Sequence, residues 1–198
     1  MKMTKYEMLE EQMKNNNGYL IVSDAVKKGV SKEYVSEFIK KKNLEKASAG
    51  IYVDENTWID SLYVLSLKKK IVFSHETALY LLGLSEREPS YASLTIEKGY
   101  NASSLRKKGC RVYTDLKDMF NVGKTTVKTN HGNMVPVYDM ERTICDAIST
   151  KDKMDIQEFQ YAIKEYMKHK DKNLYNLMKY AKMMNIEDKV RIYTEVLL

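Results

Sequence analysis

The sequence predicts an α+β protein of two domains, and three observations lead to this prediction. The 198 residues are enough for one large domain or two small ones. Hydrophobic residues make up 43% and charged residues 30% of the chain, which is the balance of an ordinary globular protein. Helical patterns occupy both ends of the chain, and strand patterns occupy its middle. We therefore expect a small first domain over residues 1–55 and a mixed α/β second domain over residues 56–198, helical from about residue 140.

The first predicted helix begins after Thr4. Thr4 and Glu7 have the spacing of a capping box, in which each side chain accepts a hydrogen bond from the backbone N–H of the other. The helix is expected to run to about Asn16. Gly18 follows at the position where many helices end in the left-handed conformation, which glycine adopts without strain.

Two further helices are predicted after a short apolar run at residues 19–22. Ser23 is expected to cap the second helix, and Gly29 provides the tight turn that ends it. Ser31 is expected to cap the third helix, which continues to about Lys42. The apolar side chains of the third helix recur at helical spacing and form one face: Tyr34, Val35, Phe38 and Ile39.

The order helix, short helix, glycine turn, helix and hairpin predicts a winged helix-turn-helix. The small residues 47–50 lead into a strand-like segment at 51–53, and they allow the wing to approach a phosphate backbone closely. Because the apolar face of the third helix packs inward, its polar face is left free for a major groove. The residues predicted to bind DNA lie on the third helix and on the wing: Ser31, Lys32, Ser36, Lys40, Lys41, Lys46 and Ser48.

A protein-docking module is the alternative interpretation of this domain, because a fold alone does not fix a function. Surface lysines are exposed in any case, and Glu33 and Glu37 accompany them on the outer face of the third helix. Residues 1–53 contain ten lysines, seven acidic residues and no arginine. Any phosphate contacts of this domain therefore fall to lysine, which acts as a point charge and lacks the bidentate geometry of a guanidinium group.

The second domain is predicted to begin with a buried helix over residues 57–70, which contains Trp58. Ser74 is expected to cap the next helix, which Gly83 ends. Four strand patterns follow, at residues 92–96, 111–114, 125–128 and 134–138. Four helices are then expected, at residues 140–149, 155–169, 173–184 and 187–198.

Several short segments resemble a known family in their order along the chain. In the first domain they are Ser23-Asp24-Ala25, Gly29-Val30-Ser31 and Ala49-Gly50-Ile51-Tyr52. In the second domain they are Ser74-His75-Glu76-Thr77-Ala78-Leu79 with Gly83-Leu84, Leu94-Thr95-Ile96, and Pro136-Val137-Tyr138-Asp139-Met140-Glu141-Arg142-Thr143-Ile144-Cys145-Asp146. Together they are similar to the AbiEi-type antitoxins of type IV toxin–antitoxin systems, over nearly the whole chain.

The resemblance implies an antitoxin that neutralises a nucleotidyltransferase toxin without forming a stable complex with it. It also implies a transcriptional repressor that binds inverted repeats in the double-stranded operator DNA of its own operon, within an abortive-infection defence against phage. The residues themselves show no heptad seam or obvious dimerisation helix. We therefore expect a monomer in solution that binds DNA cooperatively.

A nucleic-acid enzyme, such as a nuclease directed to DNA by the winged helix, is the alternative function. Asp139 and Glu141 supply two carboxylates, but residues two apart do not share a face of a helix. Arg142 and Asp146 instead have the i,i+4 spacing of an ion pair. The favoured interpretation is that the chain has no catalytic residues.

Two further motifs of enzymes are incomplete. His75-Glu76 begins a zinc-binding HExxH sequence, but position 79 is leucine, so the second histidine is missing. Gly123-Lys124-Thr125 resembles the end of a P-loop, but Asp118 stands where the first glycine belongs. We therefore expect no metal site and no cofactor.

A second basic surface is predicted in the second domain. The net charge of the chain is +6, and residues 98–133 contain eight basic and two acidic residues. The predicted helices near the end add further lysines. These groups are expected to contact phosphates beside the groove that the first domain reads: Arg106, Lys107, Lys108, Lys179 and Lys182.

The chain is expected to work in the cytoplasm, without a membrane partner. No apolar run approaches the roughly 20 residues that span a bilayer. The first residues show no apolar core of a signal peptide. Cys110 and Cys145 do not make a disulfide framework, so we expect two free thiols, with Cys145 buried and inert.

Overall fold

The computed structural model of the protein describes residues 3–67 and 70–197, with side chains up to residue 194. The chain divides into two compact units, Met1–Leu67 and Lys68–Leu198. Each unit contains helices and its own β-sheet. The α+β class expected from the sequence is confirmed.

The first unit builds a small sheet among short helices. Its elements are α1 (Lys5–Asn15), β1 (Tyr19–Ile21), α2 (Val22–Lys27), α3 (Lys32–Lys41), β2 (Glu45–Ser48), β3 (Ile51–Val53) and α4 (Ser61–Ser66). The strands are antiparallel in the order β1-β3-β2. A core shared by the helices and the sheet consists of Leu9, Met13, Leu20, Ala25, Val30, Val35, Phe38 and Leu44.

The ends of α1 follow the sequence prediction, and the start of α2 does not. The Thr4 hydroxyl accepts a hydrogen bond from the Glu7 N–H, and the Glu7 carboxylate accepts one from the Thr4 N–H, so the capping box is present. The expected Ser23 cap is wrong. Helix α2 begins at Val22, directly after Ile21 of β1, with no side-chain cap, because the apolar strand turns straight into the helix.

The helix predicted over residues 57–70 is shorter than expected, since α4 begins only after Asp60. The Asp60 carboxylate caps α4 by accepting a hydrogen bond from the Tyr63 N–H at 3.0 Å. Trp58 therefore lies in a loop and is 82% exposed instead of buried. Residues 68 and 69 of the predicted helix lie outside the described residues.

The first unit consequently extends beyond residue 55, and α4 belongs to it instead of to the second unit. Val64 packs with Tyr19, Ile51 and Val53 in a second small core. The Tyr19 hydroxyl also accepts a hydrogen bond from the Asp60 N–H at 2.8 Å and donates one to the Trp58 carbonyl oxygen at 2.9 Å. Polar residues 54–56 lead into a loop that packs on the first sheet through these hydrogen bonds.

The second unit combines a five-stranded sheet with a helical end. Its elements are β4 (Ile71–Phe73), α5 (His75–Leu81), β5 (Ser93–Glu97), α6 (Ser103–Arg106), β6 (Arg111–Asp115), α7 (Lys117–Phe120), β7 (Lys124–Lys128), β8 (Met134–Tyr138), α8 (Met140–Ser149), a 3₁₀ turn (Lys151–Lys153), α9 (Ile156–Lys168), α10 (Leu174–Met183) and α11 (Glu187–Leu197). The four predicted strands and the four predicted C-terminal helices are present, with Leu198 outside the described residues. Strand β4 and the short helices α6 and α7 were not expected.

The sheet is mixed, in the order β6-β5-β4-β8-β7. Strand β4 pairs antiparallel with β5 and parallel with β8, whereas β5 pairs parallel with β6. Strands β7 and β8 form an antiparallel hairpin at the other edge. The unexpected β4 therefore lies at the centre of the sheet, and helices α5 and α8 begin directly after β4 and its neighbour β8.

Helix α8 is the centre of the helical layer, where eight consecutive residues from Glu141 to Ile148 are buried. It packs against α5, α9, α10 and α11. Cys110 and Cys145 are not joined in a disulfide and Cys145 is buried, both as predicted, and Cys110 is buried as well. Burial raises the pKa of Cys145 to about 12, so its thiol stays protonated and unreactive at neutral pH.

Candidate functional site

Helix α3 presents a polar stripe opposite its buried face. Val35 and Phe38 are buried, and Tyr34 and Ile39 are half-buried against the same core. Because an α-helix repeats every 3.6 residues, the face opposite is centred on positions i, i+3, i+4 and i+7. These positions are all exposed: Glu33, Ser36, Glu37 and Lys40.

The other predicted DNA-binding residues of α3 lie beside this stripe instead of on it. Ser31 caps the helix, and its hydroxyl accepts a hydrogen bond from the Tyr34 N–H at 3.3 Å. Lys32 is exposed on one margin of the stripe. Lys41 is exposed on the other margin, with its ammonium group 5.0 Å from the centre of the Tyr6 ring of α1.

Packing against α1 also takes Lys42 away from the stripe. Its ammonium group lies 2.6 Å from a carboxylate oxygen of Glu10. This contact, with the hydroxyl of Tyr6 next to it, raises the pKa of Lys42 above its ordinary value. The cations at the end of α3 therefore face α1, and Lys40 is the lysine on the stripe itself.

Strands β2 and β3 form the hairpin that was predicted as a wing. Lys46 is exposed and Ser48 half-buried on β2, which is the edge strand of the sheet. The register with β3 shifts between these two residues, so the pairing of the strand is irregular there. Gly50 closes the turn at φ +65°, and its carbonyl oxygen accepts a hydrogen bond from the Val22 N–H at 3.0 Å. The turn is thus short and tied to the start of α2.

The second unit contains a buried polar network that the sequence did not predict. The expected cap at Ser74 is wrong, because the Ser74 hydroxyl makes no bond to the helix backbone. It accepts a hydrogen bond from the Thr95 hydroxyl at 2.9 Å and lies 2.9 Å from Nδ1 of His75.

His75 occupies an unusual position at the turn between β4 and α5. Its φ is +52°, in the left-handed region that few residues other than glycine adopt. The imidazole stacks on the ring of Tyr113, with 3.4 Å between ring centres and 7° between planes. Burial lowers the pKa of His75 to about 3, although the Glu76 carboxylate opposes this shift. The ring is therefore neutral at physiological pH.

Glu76 continues the network toward the start of β5 and β6. Its carboxylate accepts hydrogen bonds from Arg111 at 2.7 Å, from the Ser93 hydroxyl at 2.7 Å and from the Tyr91 hydroxyl at 3.3 Å. The Arg111 guanidinium also lies 4.3 Å from the centre of the Tyr91 ring. Arg111, whose side chain is 39% exposed, thus pairs with a buried carboxylate.

Arg142 connects four elements of the second unit while only 2% of its side chain is exposed. Nε donates to Asp146 at 2.9 Å, confirming the predicted i,i+4 ion pair. The other nitrogens donate to the Asp115 carboxylate at 2.5 Å and to the Met119 carbonyl oxygen at 2.7 Å, and the guanidinium lies 4.4 Å from the centre of the Tyr138 ring. These contacts hold the Arg142 side chain in one position, which is a structural role.

Burial and the neighbouring charges shift the pKa values of Arg142 and Asp146. Burial raises the pKa of Asp146 to about 6, and Arg142 offsets only part of that rise. The second oxygen of Asp146, Oδ2, is buried without a hydrogen-bond partner among the described residues. Burial also works against the charge on Arg142, but Asp146 and Asp115 raise the pKa of the guanidinium above its ordinary value.

The two carboxylates considered for a nuclease make other contacts. Asp139 caps α8 by accepting a hydrogen bond from the Arg142 N–H at 2.8 Å, and its second oxygen accepts from the Tyr180 hydroxyl at 3.1 Å. Glu141 accepts from the Tyr166 hydroxyl at 3.1 Å and from the Asn173 N–H at 2.8 Å. Among residues 3–67 and 70–197, no group of three or more potential metal ligands comes together.

A cleft of about 180 Å³ opens beside Glu76 at the surface of the second unit. Arg87 and Lys153 contribute positive charge to its walls, and Asp155 and Glu158 contribute negative charge. The charges are mixed and Glu76 already holds three donors, so the lining does not select a phosphate.

The predicted basic surface of the second unit is divided between two elements. Arg106, Lys107 and Lys108 are exposed at the end of α6, which packs on β6. Lys179 and Lys182 are exposed on α10, which packs on α8 and α11. The idea that these five groups form one face remains a prediction from their charge.

The polar network was missed because it is assembled from residues that are far apart in the sequence. The only local signal was the run Ser74-His75-Glu76, three polar residues directly after a strand at the centre of the sheet.

Among the described helices, none is both long and apolar enough to cross a membrane.

Comparisons with known proteins bear on the fold. No protein-family model matches the chain, and no curated protein matches it. A crystal structure of the RV2827C protein from Mycobacterium tuberculosis does match, with a TM-score of 0.61, 8% sequence identity, and coverage of 100% of this chain and 82% of that one. At this identity the likeness concerns the fold alone, and in fold the chain is similar to the mycobacterial protein.

Proposed function

We propose that the protein is a DNA-binding autorepressor and antitoxin of the AbiEi type, and that its first unit is a winged helix-turn-helix. The observation that carries the proposal is the exposed polar stripe of α3, on a helix whose opposite face packs into the core. The order α1, α2, α3 and then the hairpin β2–β3 is the order of elements in that class of DNA-binding domain.

In this proposal α3 enters the major groove of operator DNA. The Ser36 hydroxyl and the Lys40 ammonium group reach base edges or phosphates from the stripe, and Lys32 and Lys41 contact phosphates at its two margins. Lys46 of the hairpin contacts a phosphate beside the groove. The protein is active in the cytoplasm and reaches its inverted-repeat operator as a monomer that binds cooperatively.

The antitoxin part of the proposal rests on where the family-like segments lie. The segment Ser74–Leu79 forms most of α5 with the residue before it, Leu94–Ile96 lies in β5, and Pro136–Asp146 forms the end of β8 and most of α8. Their polar residues meet in the buried network around His75 and Arg142. The motif residues thus have a common role in building this domain, which neutralises a nucleotidyltransferase toxin without a stable complex.

The test of DNA binding is a gel-shift titration on the region upstream of the protein's own gene, with a scrambled duplex for comparison. A Lys40→Ala, Lys41→Ala double variant should bind more weakly at every sequence and should lower the slope of log affinity against log salt by about two. Lys14→Ala is the matched control, since Lys14 is an exposed lysine of α1 away from the stripe. Unchanged binding by the folded double variant would show that α3 does not contact the DNA.

The test of antitoxin function is co-expression with a nucleotidyltransferase toxin from the same operon. The protein should restore growth, and pull-down of the tagged protein should not retain the toxin. A metal-dependent cleavage assay on DNA and RNA separates this function from the nuclease alternative. Cleavage that is lost in an Asp139→Asn variant would contradict the proposal.

A further inference from the structure

Two carboxylates lie on the stripe of α3 that would face DNA, and they are not neutralised. Glu33 and Glu37 are exposed, and neither makes an ion pair within the part of the chain that the structure describes. Lys41 is the i,i+4 neighbour of Glu37, but its ammonium group lies over the Tyr6 ring instead. Lys42 is held by Glu10. Lys41 and Lys42 therefore face α1, and Lys40 is exposed on the stripe without an ion pair among the described residues.

Glu33 has a structural explanation, and Glu37 does not. Glu33 lies in the first turn of α3, where the positive end of the helix dipole favours an acid. Glu37 lies in the middle of the helix, beyond the reach of that effect. A carboxylate there is repelled by the phosphates that line a major groove, which weakens binding to every sequence.

We infer that Glu37 is a specificity-determining residue that accepts a hydrogen bond from the amino group of a cytosine in the operator. Among base edges in the major groove, the N4 amino group of cytosine is the donor that glutamate reads. That hydrogen bond offsets the repulsion at the cognate base alone, so the same carboxylate favours one sequence and opposes the others. This inference rests on the proposed insertion of α3 into the major groove.

The test is the selection of binding sites from random-sequence duplex DNA. Three full-length proteins are compared: the wild type, the Glu37→Gln variant and the Glu11→Gln variant. Glutamine preserves helix propensity, removes the charge and reads adenine. Glu11→Gln is the matched control, because Glu11 is an exposed acid of α1 in the same unit. Both variants gain the same general attraction to phosphate, but only one alters the stripe.

We expect the wild-type protein to select a cytosine at one position of each half-site. Glu37→Gln should reduce that preference about tenfold or move it to adenine, with the other positions unchanged. Glu11→Gln should keep the wild-type preference at every position. If both variants keep the cytosine and bind all sequences equally more tightly, Glu37 only repels DNA and the inference is overturned. If the wild-type protein selects no sequence, sequence-specific DNA binding is itself overturned, and the inference with it.

Discussion

Arg142 shows what a single buried charge does in the second unit. Its guanidinium donates to Asp146, Asp115 and Met119 and lies over Tyr138, so it joins α8 to β6, α7 and β8. Taking a cation and a carboxylate out of water is costly, and the cost is offset only while each group keeps its partners. The contacts of Arg142 therefore stabilise the fold only when all four elements are in place together.

Replacing Arg142 with methionine should lower the free energy of unfolding by about 3–5 kcal/mol, because it leaves the buried Asp146 carboxylate without its cation. Urea unfolding followed by circular dichroism measures the change. Arg106→Met is the matched control, since Arg106 is exposed on α6, and it should shift stability by no more than about 0.5 kcal/mol. Equal unfolding midpoints for the two variants would show that Arg142 is dispensable.

His75 should make the protein sensitive to acid. Burial lowers the pKa of His75 to about 3, against an ordinary value of 6.5 in the unfolded chain. Between these values the unfolded chain binds a proton that the folded chain does not, so stability falls as the pH drops from about 6.5 toward 3. The contribution of this group reaches about 1.4 kcal/mol per pH unit.

A His75→Asn variant tests this dependence, because asparagine tolerates the left-handed conformation and does not titrate. Its stability should change less with pH in that range than the stability of the wild-type protein, as measured by urea midpoints in a series of buffers. The same substitution at His131, which is exposed, should preserve the wild-type dependence. Parallel pH profiles for wild type and His75→Asn would contradict the prediction.

At the scale of elements, the turn before β7 is fixed by Gly123. This residue has φ +71°, and a Cβ added to it would lie 2.6 Å from Cβ of Arg142 and 2.9 Å from Oδ1 of Asp139. Its carbonyl oxygen accepts a hydrogen bond from the Asp139 N–H at 2.6 Å. The turn thus packs directly on the start of α8, where only a residue without a side chain fits.

Gly123→Ala should therefore destabilise the second unit more than Gly132→Ala. Both glycines have a positive φ, which costs an alanine about 1–2 kcal/mol, but nothing lies within 4 Å of a Cβ at Gly132. Overpacking at Gly123 should add about 1–3 kcal/mol. Thermal unfolding by circular dichroism compares the two variants, and equal losses would show that the turn can move away from α8.

Elements with a long repeat or a local cap were predictable, and short buried ones were not. Helices α1, α3 and α8 each have a side-chain cap and an apolar face within one segment, so their sequences alone define them. Strand β4 has three buried residues, too few to show a period. Its position at the centre of the sheet comes from pairing with β5 and β8, which lie 20 residues or more away in the chain.

The same distinction applies to the candidate site. The outward residues of α3 were predictable because helical spacing determines which side chains lie opposite the core. The directions of Lys41 and Lys42 were not, since they depend on Tyr6 and Glu10 of α1. The network around Glu76 was also not predictable, because Arg111 is 35 residues away and only the parallel pairing of β5 with β6 brings it near.

At the scale of the whole molecule, each of the two units has its own core, from which we predict that the two proposed activities are separable. Val64 of α4 completes the second small core of the first unit, so a fragment that ends at residue 55 lacks part of that core. We expect residues 70–198 to protect cells from the toxin without repressing the operon, measured by growth and by a promoter fusion. Toxin killing in cells that contain this fragment at normal soluble levels would contradict the expectation.

The second unit is also expected to add phosphate contacts to DNA binding. Full-length protein should show a steeper dependence of log affinity on log salt than residues 1–67 on the same operator, because each lysine or arginine contact releases about one counterion. Neutralising Arg106, Lys107 and Lys108 together should reduce the difference. Equal slopes for the full chain and the fragment would confine DNA contacts to the first unit.

The exposed loop of the first unit also determines what fluorescence can report. Trp58 is the one tryptophan of the chain and is 82% exposed, so its emission in the folded protein is already that of an indole in water. Unfolding either core changes this environment little, and a denaturation curve followed at tryptophan wavelengths will be nearly flat. The same indole is a background-free probe for any molecule that covers the loop between β3 and α4.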